Sequence, residues 1–230
     1  VSRPYHRIPI VECGEPLLPI PDRFARVDPH PYLSLGADYA GRSPFMLRSG
    51  AISALIAAED FLMSQYPQYR LQIFDAYRPL AVQKFMVDYT FQQLAGQRGW
   101  HWQNLTMAQQ QELELLVNTF WANPSDDPQT PPPHSTGAAI DLTLITVDGL
   151  TVDMGSPIDE VSERSRPDYW QNSHPEAHWH RQILHSAMTH AGWARHPQEW
   201  WHFSFGDQMW AWVRGNQHGA SYARYGQVAE

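Results

Sequence analysis

GAAIDLTLITVDGLTVDMG, residues 137–155, decides how the rest of the chain is read. Its first half is a β-branched, apolar run of strand length, Asp148-Gly149 is a turn dipeptide, and the second half is a shorter apolar run. That order predicts a β-hairpin. Just upstream, NPSDDPQTPPPH (123–134) reads as a loop, because proline fixes φ and removes backbone donors. His134 ends the loop, and Asp141, seven residues on, enters the first strand.

Working outward, LQIFDAY (71–77) reads as a buried strand ended by Arg78-Pro79, and EWWHFSF (199–205) as the last strand. Between the strands the apolar spacing turns helical. From Ser49, Ile52, Leu55, Ile56, Leu62 and Met63 share one face; Val82, Phe85, Met86 and Tyr89 recur at i, i+3, i+4 and i+7, and Gly96 closes that helix. Thr106 and Gln109 have capping-box spacing ahead of Leu113, Leu116, Val117 and Phe120. Residues 175–191 form a further helix with Trp179, Ile183, Ala187 and Met188 inward. The proline-rich segment 1–48 reads as an irregular N-terminal wrap with short strands. Helices interspersed with a small, largely antiparallel sheet predict an α+β fold, in one domain spanning 1–230.

The net charge of −8, with a single lysine among the 16 basic side chains, gives no basic stripe for phosphates, so nucleic acid is not an expected partner. No apolar run approaches the ~18 residues of a membrane span. One cysteine, Cys13, excludes an internal disulfide framework and a cysteine-based zinc cluster. The cytoplasm is the expected location, with the periplasm as the alternative if a leader has been removed.

EWWHF (199–203) places an ionisable pair, Glu199 and His202, inside an aromatic run. Burying such groups is costly unless they are paired or hold a metal. His134, Asp141 and His202 are suitable zinc ligands, and three protein ligands leave a fourth position open for water, as a catalytic site requires. Bound zinc brings the pKa of water to ~7, and Glu199 is placed to serve as base. Arg78, locked by Pro79, is a candidate donor to a developing oxyanion.

HSTGAAIDLTL (134–144), DAYRP (75–79), MGSPID followed by ERS (154–165) and EWWH (199–202) together resemble the motifs of the zinc D-alanyl-D-alanine dipeptidases of the vancomycin-resistance type. The resemblance implies zinc held by His134, Asp141 and His202, Glu199 as catalytic base, Arg78 as transition-state stabiliser, and Asp159 as the group that meets the free ammonium of a dipeptide substrate. Tyr32, near YLSLGADYAG, loosely resembles the family's N-terminal aromatic motif. The chain departs from the family at Pro132 and Pro133, where members commonly carry serines that help bind the substrate carboxylate; proline offers no donor. The segment 92–133 also looks long and is expected to shape the pocket edge.

Other readings of the same residues stay open. Glu199 could pair with Arg195, Arg78 with Asp75, and Asp159 could cap a helix before EVSERS. A strict strand over 199–205 would also send Glu199 and His202 to opposite faces, so a bulge or turn at Glu199 is required. The five histidines of 174–190 read as a solvated face, since HPEAH is not HExxH. On the same zinc framework, a carboxypeptidase or endopeptidase acting on longer cell-wall peptides is the enzyme alternative, and a zinc-stabilised binding module the non-catalytic one.

Overall fold

The computed structural model describes residues 3–218 and 222–229. In chain order the elements are β1 (Leu17–Pro19), β2 (Ala25–Arg26), α1 (Pro31–Ser34), β3 (Met46–Arg48), α2 (Ser49–Gln65), β4 (Tyr69–Asp75), α3 (Leu80–Gln97), α4 (Met107–Phe120), β5 (Ala139–Thr146), α5 (Pro175–His190), β6 (Ala194–Arg195), β7 (His202–Ser204) and α6 (Gln208–His218). Five strands form one sheet in the order β2-β4-β5-β7-β6, and β1 pairs with β3 in a separate ribbon. Of the pairings between these strands, β2–β4 is parallel and the rest are antiparallel. The chain is therefore α+β with a largely antiparallel sheet, as its pattern predicts. No described helix is long and apolar enough to cross a membrane.

Alternation along the strands divides the sheet into two faces. Ile140, Leu142 and Leu144 of β5, Leu71 and Ile73 of β4 and Phe203 of β7 pack into one core with Leu55 and Leu62 of α2 and Ile183, Leu184 and Met188 of α5. The intervening residues Asp141, His202 and Ser204 therefore point to the other face. In β4, strict alternation would send Asp75 into the core with Leu71 and Ile73. A register shift between Ile73 and Asp75 turns it to the face of Asp141, its partner across the ladder. A second apolar cluster, from α3, α4, Tyr32, Tyr39 and Trp121, includes Val82, Met86, Leu113 and Val117.

All four expected helices are present, as α2 to α5, and the capping box of α4 is complete: the Thr106 hydroxyl accepts from Gln109 N–H, and the Gln109 side chain accepts from Thr106 N–H. The second helix runs one residue past Gly96, and Gly99, at φ 70°, turns the chain away beyond it. Four expectations need correction. The hairpin's second strand shrinks to one bridge, Ile145 to Thr151, because β4 occupies one edge of β5 and β7 takes part of the other. The last strand is only His202–Ser204. Trp179 is 52% exposed and rests edge-on against Tyr66, since the buried stripe of α5 runs through Ala177, Arg181, Leu184 and Met188. His180 is buried, with Nδ1 at 2.8 Å from the Asp153 carbonyl and Nε2 at 3.2 Å from the Tyr69 hydroxyl, so the histidine helix is not uniformly solvated.

Two positions test these packing arguments. Gly137 sits at φ 68°, where a non-glycine residue is strained, and a Cβ there would run into Leu17 Cδ1. Gly137→Ala is expected to destabilise the fold by about 1–3 kcal/mol in urea denaturation. Glu59 is buried on α2, where its carboxylate accepts from Leu71 N–H. Burial raises its pKa above the ordinary 4.5 despite that bond and the charges of Arg70 and Arg23. With the folded value above the unfolded one, its contribution to stability is full below the unfolded pKa and is lost as pH rises through the folded pKa. Glu59→Gln keeps the acceptor without the charge, so its Tm should exceed the parent's at pH 8 and match it at pH 4; an equal offset at both pH values would contradict this.

Candidate metal centre and active-site cleft

Three side chains converge on the polar face of the sheet. His134 sits on a 3-10 turn, Pro133–Thr136, which Gly137 ends in a left-handed conformation so that β5 can begin at Ala139. Asp141 and His202 face each other across the β5–β7 ladder. His134 Nε2 lies 3.2 Å from His202 Nδ1 and 3.2 Å from Asp141 Oδ2, and His202 Nδ1 lies 3.0 Å from Asp141 Oδ1. All three residues are buried.

The surroundings fix which atoms face inward. His134 Nδ1 is 2.6 Å from the Ala76 carbonyl, which can only accept, so Nδ1 donates and the Nε2 lone pair points into the cluster. On the far side of His202, Nε2 lies 3.5 Å from the Ser204 hydroxyl, which donates to Asp207 at 2.7 Å. Two imidazole nitrogens and a carboxylate oxygen form a donor set suited to zinc. Bonds of about 2.0–2.2 Å in a tetrahedron would separate neighbouring ligand atoms by about 3.3–3.5 Å, close to the spacing seen. Among the described residues this is the one group of histidine, cysteine and acidic side chains close enough to hold a metal.

Arg78 is the second anchor of the face. Its Nη2 lies 2.9 Å from Asp75 Oδ2 and 3.4 Å from Asp141 Oδ2, and donates to the Tyr32 hydroxyl at 3.1 Å; Nη1 donates to Gln83 Oε1 at 2.9 Å. The guanidinium also lies over the rings of Tyr32 and Trp121. Burial opposes its charge, but Tyr32, Asp75 and Asp141 outweigh burial and hold its pKa above the ordinary value. For Asp75, burial alone would raise the pKa, yet Arg78 and the bond to His30 keep it low. The Asp75 pairing therefore exists together with the approach to Asp141, and the two readings of Arg78 are not exclusive.

Glu199 lies outside β7, in a turn where its N–H donates to the His196 carbonyl at 3.4 Å. That turn meets the requirement for a break in the strand and directs Glu199 toward the cleft, with Oε1 3.6 Å from His196 Nδ1 and Oε2 3.9 Å from His202 Nδ1. Among the described ion pairs Glu199 has these histidines, and not Arg195, as partners. Burial and then the charges of Asp141 and Asp159 push its carboxyl well above the usual range, with Arg3 and Arg78 opposing. Asp159 is pushed up to about 7, chiefly by burial and then by Asp141. A divalent cation among the three donors would pull both carboxyls down.

Asp159 adopts φ 64° and accepts from the Tyr32 hydroxyl at 2.8 Å. The N-cap of the following 3-10 turn, Glu163–Ser165, is Ser162, so Asp159 is not that cap. His134, Asp141, His202, Glu199, Arg78 and Asp159 all line one cleft, while Tyr32 reaches it through its bonds to Arg78 and Asp159. From segment 92–133, residues 120–122 and Pro133 contribute to its wall.

Sequence reasoning missed His30 and Tyr39, which bond Asp75 Oδ1 at 3.1 and 3.0 Å, along with Gln83, His196, Asp207, Arg3 and Tyr5. Only His196 carried a local signal, lying three residues before Glu199.

A family model described as Peptidase_M15, D-Ala-D-Ala dipeptidase, matches residues 25–221. The D-alanyl-D-alanine dipeptidase of Synechocystis sp. is 46% identical over 239 residues, covering 98% of this chain and 97% of that protein. Proteins of the same name from Escherichia coli K12 and Enterococcus faecium are 32% and 34% identical, over 69% and 67% of this chain and 65% and 70% of their own lengths. Among solved structures, the LdcB LD-carboxypeptidase aligns with a TM-score of 0.48 at 17% identity, over 90% of this chain and 74% of that one. By the extent of the family match and the near full-length relative, the chain belongs to the Peptidase_M15 family of D-Ala-D-Ala dipeptidases.

Proposed function

We propose that the protein is a zinc-dependent dipeptidase that hydrolyses D-Ala-D-Ala or a closely related D-amino-acid dipeptide. The observation that carries this reading is the convergence of His134, Asp141 and His202 in one buried cluster that opens into the same cleft as Glu199, Arg78 and Asp159. A structural zinc site needs no such base, cation and second carboxylate. The near full-length dipeptidase relative supports the same substrate class.

His134 Nε2, one Asp141 oxygen and His202 Nδ1 would hold the ion. Zinc bound there supplies a Lewis acid and lowers the pKa of water. Glu199 takes the proton as the water oxygen bonds to the scissile carbonyl carbon, and returns a proton to the leaving amine as the C–N bond breaks. Trp201, buried and lining the same cleft, keeps this carboxyl in a medium of low dielectric, which strengthens its interactions with nearby charge. Arg78 Nη2, beside Asp141, stabilises negative charge that develops on the carbonyl oxygen. Its bonds to Asp75 and Gln83 fix it in advance, so little reorganisation accompanies the reaction. Asp159, held by the Tyr32 hydroxyl, receives the substrate ammonium. The exposed Cys13 is compatible with a reducing compartment, and we assign the protein to the cytoplasm.

Glu199→Gln should lower kcat for D-Ala-D-Ala by at least about 10³-fold while zinc content, measured by atomic absorption, stays at one ion per chain. Turnover close to that of the parent would remove Glu199 from the role of base. Acetylating the substrate amino group, or making Asp159→Ala, should each cost about tenfold or more in kcat/KM. Combining the two should add little, because both delete the same ion pair; independent, additive losses would place the ammonium elsewhere.

A further inference from the structure

A dipeptide is a zwitterion, so its site needs a cationic or donor-rich patch for the carboxylate as well as a carboxylate for the ammonium. Pro132 and Pro133 can donate nothing to such a group. Arg78 and Arg3 are the two cationic side chains that line the cleft, and Arg78 is already engaged by Asp75, Asp141, Tyr32 and Gln83.

Arg3 comes from the N-terminal segment, at the start of a 3-10 turn, Pro4–Arg7. Its Nη2 donates to the carbonyls of Asn118 and, at 3.0 Å, of Trp121, at the C-terminal end of α4. Those bonds fasten the guanidinium at the cleft wall and use one of its three nitrogens; Nε and Nη1 make no hydrogen bond among the described residues. Two residues on, Tyr5 is 5% exposed and lines the same cleft, and its hydroxyl likewise has no hydrogen-bond partner among the described residues. The turn is itself held in place, since Gln208 on α6 donates to the Ile8 carbonyl at 2.7 Å and to Gln129 at 2.9 Å. A buried phenol and a half-buried guanidinium with donors to spare, facing one cleft from one anchored turn, form a patch suited to a carboxylate.

We propose that Arg3 and Tyr5 bind the C-terminal carboxylate of the substrate, the guanidinium through Nε or Nη1 and the phenol through its hydroxyl, and so restrict the site to peptides that end at this position. This inference rests on the dipeptidase reading. Both residues are specificity determinants and take no part in proton transfer. An amide or ester at the same place would leave the guanidinium without its counter-charge.

The test is calorimetric titration of zinc-loaded Glu199→Gln protein, which binds without turnover, with D-Ala-D-Ala and with its C-terminal amide. The free acid should bind at least about tenfold tighter than the amide. Adding Arg3→Gln, which keeps a donor for the α4 carbonyls but removes the charge, should abolish that preference and leave amide affinity unchanged. Tyr5→Phe should reduce the preference several-fold. In the zinc enzyme, Arg3→Gln should raise KM for D-Ala-D-Ala far more than it lowers kcat. If Arg3→Gln retains the acid preference, or weakens acid and amide equally, Arg3 only caps α4 and the proposal fails while the dipeptidase reading stands. Binding of neither ligand before Arg3 is changed would overturn both.

Discussion

A buried guanidinium between two carboxylates holds this molecule together. Arg78 touches Asp75 at the end of β4, Asp141 within β5, Tyr32 from α1 and Gln83 from α3, so a single side chain joins the sheet to the second apolar cluster. Removing one member of such a network leaves a charge without its partner in the interior, which typically costs about 3–5 kcal/mol. The same constraint serves chemistry, because Asp141 stays ionised where a cation would sit, and because the guanidinium cannot relax away from the cleft.

The sheet makes that arrangement possible by separating its duties between two faces. Ile140, Leu142 and Phe203 look into the core while Asp141 and His202, one residue away, look into the cleft. Core packing thus sets the position of the ligands to within a strand register. Asp75 would fall on the wrong face without the irregularity after Ile73, so a departure from regular pairing is part of the site.

The chain discloses its local features well. Helices α2 to α5 are legible from apolar spacing and capping residues; Asp141, Glu199 and His202 stand out because they interrupt apolar or aromatic runs, and His134 because it ends the proline loop just before the strand. What the chain conceals depends on contacts between distant segments. His30 reaches Asp75 across 45 positions, and Arg3 reaches Trp121 across 118, with no periodicity to announce either. Trp179 misleads for another reason: small Ala177 and Ala187 lie inward where the helix packs closely, and the large ring is left to cover Tyr66 from outside. The short return after Gly149 depends on which edges of β5 are already taken, a property of the assembled sheet.

The three-residue length of β7 has a consequence for how the fold is secured. Such a strand, bordered by the two-residue β6, is too short to hold a sheet edge by hydrogen bonds alone. The donor cluster joins position 202 to positions 141 and 134, spans of 61 and 68 residues. In a chain with one cysteine, coordination there would act as the cross-link that a disulfide provides elsewhere, closing two long loops at once.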